Sequence, residues 1–480
     1  MAFPVRSLAV ALAAVTLIRL AVAATVPLAP DETYYWVWSH ALAGGYLDHP
    51  PMVALWIKAG TSVFGQTALG VRLLGPLAAA IASWMLFDAG RALFPGTKAG
   101  VVAAVLINAS LLLGVGSVIM TPDSPLLFFW TATLWAMARV AAAKGRNEGG
   151  WWWLTAGIAA GLALDSKYTA LFLWIGIGLW NVLIPSSRLW LRRWQPWAAA
   201  AAGFALFVPV VLWNAAHDWA GFVKQGGRVQ DWQPSRAIGF LAELAGSQIG
   251  LATPLVWLLC MAGLVAAVRR WRDPRWALLA ALSLPPVLVF VQHAFGDRVQ
   301  GNWPAIIYPA LVLAAGGLAI QDRWWKGAAL LGFGITALVY AQATTGLLPL
   351  PPRFDPVAMR LKGWDSLARQ VETVRRTVGA SFVAADGYAV ASELAWWLPD
   401  DRIVGVDARW RLFALPQIPL GGEVGLLVVD SRRTDAPDPA EWSGVEQVGG
   451  AERPGSGMAG FTIYRVTGRR GGSDKSILTQ

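Results

Sequence analysis

Apolar runs of roughly 20 residues recur along most of this chain, and no other feature limits its fold so narrowly. A helix needs about 20 mostly apolar residues to cross a bilayer. Inside lipid every backbone N–H and C=O must be satisfied within the segment, so such runs become helices. Candidates lie near 8–28, 68–93, 99–120, 125–143, 151–164, 167–184, 197–214, 247–268, 276–292, 303–320 and 327–347. Of the 480 residues, 56% are hydrophobic and only 14% charged, too few charges to cover a soluble surface of this size. The chain reads as a polytopic α-helical membrane protein with about eleven spans. Arg6 precedes the first run, and no small-residue cleavage site leads into a soluble domain, so that helix is expected to be retained. The single cysteine, Cys260, lies in an apolar run and excludes a disulfide framework.

Basic residues fall in every second loop. They are Arg6; Arg91 and Lys98; Arg139, Lys144 and Arg146; Arg188, Arg192 and Arg193; Arg269, Arg270, Arg272 and Arg275; and Arg323 and Lys326. The positive-inside rule makes these loops cytoplasmic. Segments 31–67, 121–125, 165–168, 215–247 and 293–303 are then external, periplasmic or its topological equivalent. The formal charge of +10 is mainly an orientation signal facing anionic lipid headgroups, and no nucleic-acid partner is expected. An odd span count also places the C-terminus outside.

Near Leu350 the composition changes. A Pro-rich linker at 349–356 separates a transmembrane domain, 1–349, from a small external α/β domain, 350–480. Helical periodicity at 364–378 is followed by β-like runs at 381–385, 402–406, 425–429 and 461–466. The Gly- and Arg-rich tail beyond Thr467 is expected to be disordered.

The chemistry concentrates at the external boundary. Asp31 and Glu32 directly follow the first apolar run, and two adjacent carboxylates cannot lie deep in a bilayer. Asp48, Asp123 and Asp165 join them, with His49, Lys58, Arg72, Lys167, His217, Lys224, Arg228, His293 and Arg298. A carboxylate can take the proton of a hydroxyl acceptor. Lys and Arg can hold a phosphate as negative charge develops on it. Blander roles exist for several. Asp123 can cap a helix, Lys167 and Arg72 can snorkel, and His49 and His217 can be loop residues. Arg19 lies within the first span, where snorkelling or an intramembrane partner accounts for it. No spacing resembles a dedicated metal site, so no cofactor is expected, although a divalent metal is left open.

Pro30-Asp-Glu-Thr-Tyr-Tyr35, Tyr46-Leu-Asp-His-Pro-Pro51, Val71-Arg-Leu-Leu74, Thr121-Pro-Asp-Ser-Pro125, Ser166-Lys-Tyr-Thr169, the 213–228 segment and Gly301-Asn-Trp-Pro304 occur in order. Together they resemble the C-type (GT-C fold) glycosyltransferases, in the bacterial branch related to protein O-mannosyltransferases and the lipid A aminoarabinose transferase. The resemblance implies a polyprenyl-phosphate sugar donor, an extracytoplasmic acceptor (lipid A, envelope glycan or protein) and inverting transfer. It implies a multi-pass protein of the bacterial inner membrane with its active site and C-terminal domain facing the periplasm. It implies Asp31 as base, with Glu32 orienting the acceptor or tuning Asp31, and Asp123 as a second acid facing the same cavity. Lys58, Arg72, Lys167, Arg228 and Arg298 become donor-phosphate ligands. Tyr34, Tyr35, Tyr46, His49, His217 and Asn302 become cavity residues for the substrate or acceptor. Rival readings are a polysaccharide polymerase or ligase using lipid-linked sugar, and a transporter or flippase. The latter wants charges deep in broken helices and repeat symmetry.

Overall fold

The computed structural model describes residues 5–143, 149–227, 232–318, 320–433, 437–438, 441–469 and 474–477. The chain gathers into two compact units. One comprises Met1–Ala24, Asp48–Trp56 and Arg72–Tyr340, and the other Thr25–Leu47, Ile57–Val71 and Ala341–Gln480.

Among the described residues, six helices are long and apolar enough to cross a membrane. They are Val5–Thr25, Ala68–Leu93, Asp123–Ala142, Trp194–Ala216, Pro274–His293 and Asp322–Thr345. A bent pair, Pro234–Ala252 and Pro254–Arg269, makes a seventh if counted as one span. Ala99–Asn108, Gly150–Leu164, Tyr168–Leu183 and Trp303–Gly317 coincide with expected spans but have only 10–17 residues. The chain therefore has a polytopic, mostly helical membrane fold.

Two expected spans are broken. The run at 247–268 is interrupted at Thr253, where the pair bends by 108°. Pro254 has no N–H to continue the helix and disfavours helical geometry in the residue before it. Thr253 accordingly sits at φ 66°, a costly conformation for a β-branched residue. The run at 99–120 ends as a helix at Asn108, and a single turn, Leu111–Gly114, follows with Ser110 as its cap.

Small residues let helices of the first unit approach closely. A Cβ on Gly161 would strike the backbone of Gly203, where Gly150–Leu164 crosses Trp194–Ala216. Arg19 does not snorkel. It is buried, and its Nη1 donates to Asn108 Oδ1 at 2.9 Å, while Asn108 Nδ2 donates to Ser83 Oγ at 2.7 Å.

The second unit is α/β. Its strands are β1 (Phe382–Ala385), β2 (Ile403–Gly405), β3 (Gln417–Ile418), β4 (Val424–Asp430), β5 (Trp442–Ala451), β6 (Phe461–Arg469) and β7 (Asp474–Ser476). They form one sheet in the order β3-β7-β2-β1-β4-β6-β5. β1 pairs in parallel with β2 and β4, and the remaining pairings are antiparallel. β1 is buried throughout, as a central parallel strand covered on both faces must be. Helix Trp364–Val378 precedes it, and helix Tyr388–Trp397 makes the crossover to β2.

The β-like runs of the sequence fall on β1, β2, β4 and β6. β3, β5 and β7 were not legible there. β5 is a Gly-rich, largely exposed edge strand without clean alternation. The tail expected to be disordered instead carries β7, which pairs with β2 and β3, and Ile477 behind it is buried.

Candidate active site

Candidate groups occur in both units. In the second, Pro30 opens helix Pro30–Trp38. Its missing N–H is one that a first turn leaves unbonded anyway, and acids near that end suit the helix dipole. Asp31 and Glu32 both lie in this first turn, but they are used differently. Glu32 is fully buried, and its Oε2 accepts the Ala29 N–H at 2.9 Å, the returning half of a capping box. Sequence adjacency makes Glu32 a partner in chemistry, whereas its geometry makes it a fastener of the helix.

Asp31 Oδ1 accepts the Tyr388 hydroxyl at 3.3 Å. The Arg409 guanidinium lies 4.2 Å from the Tyr388 ring centroid and 5.6 Å from that of Tyr34. Tyr34 and Tyr35 are buried, and the Tyr34 ring meets Tyr388 at 4.6 Å and Trp410 at 5.6 Å. Tyr46 stacks on Trp38 at 4.2 Å. Its hydroxyl donates to backbone carbonyls of Trp38 and Ala41, at 3.1 and 3.0 Å, and burial pushes the phenol well above its ordinary value. That hydroxyl holds the loop, so the structure places Tyr46 in packing. Lys58 is exposed on helix Met52–Phe64. Burial chiefly, and the charge of Lys58 in addition, hold His40 below the usual imidazole value.

In the first unit, Asp123 begins helix Asp123–Ala142 without capping it. Its Oδ1 accepts Lys167 Nζ at 2.8 Å and its Oδ2 accepts Asn302 Nδ2 at 2.6 Å. Three segments distant in sequence thus meet at one carboxylate. Lys224 Nζ lies 3.1 Å from Asp48 Oδ1, and Gln225 Nε2 donates to the Asp48 carbonyl at 2.6 Å. His49 is half-buried. His217 stacks on Trp213 at 4.3 Å, with Nδ1 2.8 Å from the Trp213 carbonyl. Arg72 is buried and donates to the Ala23 carbonyl at 3.2 Å. Arg298 is exposed and pairs with Glu243. Arg228 lies outside the described residues. No group of three or more His, Cys, Asp or Glu able to hold a metal occurs among the described residues.

The candidate set drawn from sequence omitted Tyr388 and Arg409, which carry no local signal, because their place depends on closure of the second unit. Asp165 and Lys224 stood among the charges at the membrane boundary but were given no role. Asp165 is buried with its Oδ1 unpartnered among the described residues, and burial pushes its carboxyl from 3.8 up to about 7. The folded chain therefore holds a proton that the unfolded chain releases, so stability falls as pH rises from 3.8 through about 7. Asp165→Asn is expected to raise the melting temperature at pH 8, with the gain vanishing toward pH 4. Thermal unfolding in detergent across that range checks it, and no gain at pH 8 would contradict it.

A family model of dolichyl-phosphate-mannose-protein mannosyltransferases matches residues 48–213. The lipid A galacturonosyltransferase RgtD of Rhizobium johnstonii is 29% identical over 397 residues, covering 80% of this chain and 79% of that protein. The undecaprenyl phosphate-alpha-4-amino-4-deoxy-L-arabinose arabinosyl transferase of Pseudomonas aeruginosa is 26% identical over 346 residues. That match covers 64% of this chain and 59% of that protein, so the chain spans less than two thirds of it. The crystal structure of ArnT from Cupriavidus metallidurans bound to undecaprenyl phosphate shares the fold. Its TM-score is 0.64 over 95% of this chain and 97% of that one, at 16% identity. In its ordered motifs and its polytopic helical fold, the chain is similar to the C-type glycosyltransferases, in the bacterial branch related to protein O-mannosyltransferases and the lipid A aminoarabinose transferase.

Proposed function

We propose that this enzyme moves a sugar from a polyprenyl-phosphate carrier to an acceptor hydroxyl on the periplasmic side of the inner membrane, with lipid A as the acceptor class. The observation that carries this reading is the division of labour in the first external segment. Glu32 is committed to the Ala29 N–H, while Asp31 is met by a phenol hydroxyl. Asp31 is assigned as the general base. It takes the acceptor proton as the acceptor oxygen attacks the anomeric carbon, and the bond from that carbon to the phosphate oxygen breaks with inversion. The leaving phosphate is stable as an anion, so a dedicated acid is dispensable. Cations stabilise the charge it carries away, and Lys58, Lys167 and Arg298 are assigned to it. Lys167 would exchange Asp123 for the phosphate. The names of the relatives, one acting on lipid A and another using an undecaprenyl-phosphate-linked aminopentose, support both donor and acceptor class.

The same reading takes eleven spans, with 350–480 outside. Purified protein in nanodiscs should consume undecaprenyl-phosphate-linked galacturonic acid or aminoarabinose in the presence of lipid A and should ignore nucleotide sugars. Transfer from a nucleotide sugar without a lipid carrier would overturn the donor assignment. Single cysteines introduced beyond Leu350 in a Cys260→Ala background should react with impermeant reagents in intact spheroplasts, and protection there would overturn the orientation.

A further inference from the structure

Open α/β sheets take ligands at the carboxyl ends of their parallel strands, in the crevice where strand order reverses. In the second unit that edge belongs to β2, β1 and β4, with β1 between its two parallel neighbours. β1 runs into Asp386, Gly387 and Tyr388, β2 into Asp407 and Arg409, and β4 into Arg432 and Arg433. Asp386 pairs with Arg433 at 2.7 Å, and Asp407 with Arg409 at 3.2 Å.

Helix Pro30–Trp38 lies against this edge. The Tyr388 hydroxyl donates to Asp31 at 3.3 Å, and Arg409 Nη1 donates to the Tyr34 hydroxyl at 3.5 Å. Farther along the same two helices, the Thr33 hydroxyl lies 3.4 Å from Glu393 Oε1, and the rings of Trp36 and Trp396 meet at 4.9 Å. Helix Tyr388–Trp397 therefore grips the Asp31 helix at several points, and Tyr388 supplies a hydrogen bond to the carboxylate.

We infer, on the footing that Asp31 is the general base, that Tyr388 is a positioning residue for it, aiming the carboxylate and favouring its ionised form. A hydroxyl donated to a carboxylate stabilises the charged state, and such charge-assisted bonds are roughly twice as strong as neutral ones. The Arg409 cation over the phenol ring draws on the ring's negative face, which makes the hydroxyl a better donor. Other titratable and charged groups belong to the same packing. On the helix of Asp31 itself are Glu32 and Tyr34. From the elements packed against it come the Arg409–Asp407 pair and Glu393, which burial pushes well above the usual carboxylate range. His40 and Lys58 lie farther off on the same unit.

The test uses the full-length enzyme in nanodiscs with Tyr388→Phe, which removes one hydroxyl and keeps the ring. Carbodiimide labelling of Asp31 across pH, read by peptide mass spectrometry, reports its protonation without turnover. The labelling midpoint should move upward by about one pH unit in Tyr388→Phe, with a smaller upward move in Arg409→Gln. With whichever lipid-linked sugar the wild type consumes, kcat should fall about tenfold, KM should change little, and the acid limb of the kcat profile should move the same way. An unchanged midpoint overturns the proposal even if activity drops, because the loss is then merely structural. If Asp31→Asn turns over at the wild-type rate, the base reading falls and the positioning role falls with it, whatever the labelling shows.

Discussion

Asp31→Asn is expected to lower turnover by about 10²–10⁴-fold, the usual contribution of a general base, while the protein still folds and binds the lipid-linked donor. Asparagine keeps the size of the side chain and an oxygen able to accept the Tyr388 hydroxyl, so the contact at 3.3 Å can survive while the base is lost. Glu32→Gln should be far milder, because glutamine still offers an acceptor to the Ala29 N–H and the helix start is kept. Turnover of the undecaprenyl-phosphate-linked sugar in single-turnover assays, alongside donor binding, checks both variants. Near-wild-type turnover by Asp31→Asn, with a dead Asp123→Asn, would move the base to Asp123.

Lys167→Met is expected to be the most damaging substitution for stability. The side chains of Lys167 and Asp123 are only 10% and 13% exposed. Removing the ammonium leaves a largely covered carboxylate facing the neutral amide of Asn302. Breaking a buried pair from one side costs about 3–5 kcal/mol, mostly the penalty of the stranded charge. The double variant Asp123→Asn/Lys167→Met should therefore unfold less easily than the sum of the single variants predicts. Unfolding in detergent measures this. Adding undecaprenyl phosphate separates the two roles of Lys167, since a phosphate ligand should protect the wild type and fail to protect Lys167→Met. A Lys167→Met protein as stable as the wild type would show that the pair carries no such burden.

Much of the architecture was legible because it depends on local pattern. Long apolar runs demand helices in lipid wherever they occur, so the membrane class follows from the chain alone. The continuous apolar character of 381–385 and 425–429 marked two strands, β1 and β4, and the fold pairs them in parallel. Local pattern misled where a single residue overrode it, as Pro254 did in the run at 247–268. It was silent for β3 and β7, strands of two and three residues whose only support is pairing with each other and with β2.

The candidate site divides along the same line. The acids at Asp31, Glu32 and Asp123 stood out in sequence because charge beside apolar runs is costly unless it has a use. Which partners they take was decided by tertiary structure. Glu32 turned inward to cap a helix, Asp123 gathered Lys167 and Asn302 from two other segments, and Asp31 met Tyr388 from 357 positions away. Periodicity and charge cost act over a few neighbouring residues and can be read along a line. A hydrogen bond between distant segments exists only after the chain has closed around it, so the sequence by itself determined where chemistry can be, and the fold decided what each carboxylate holds.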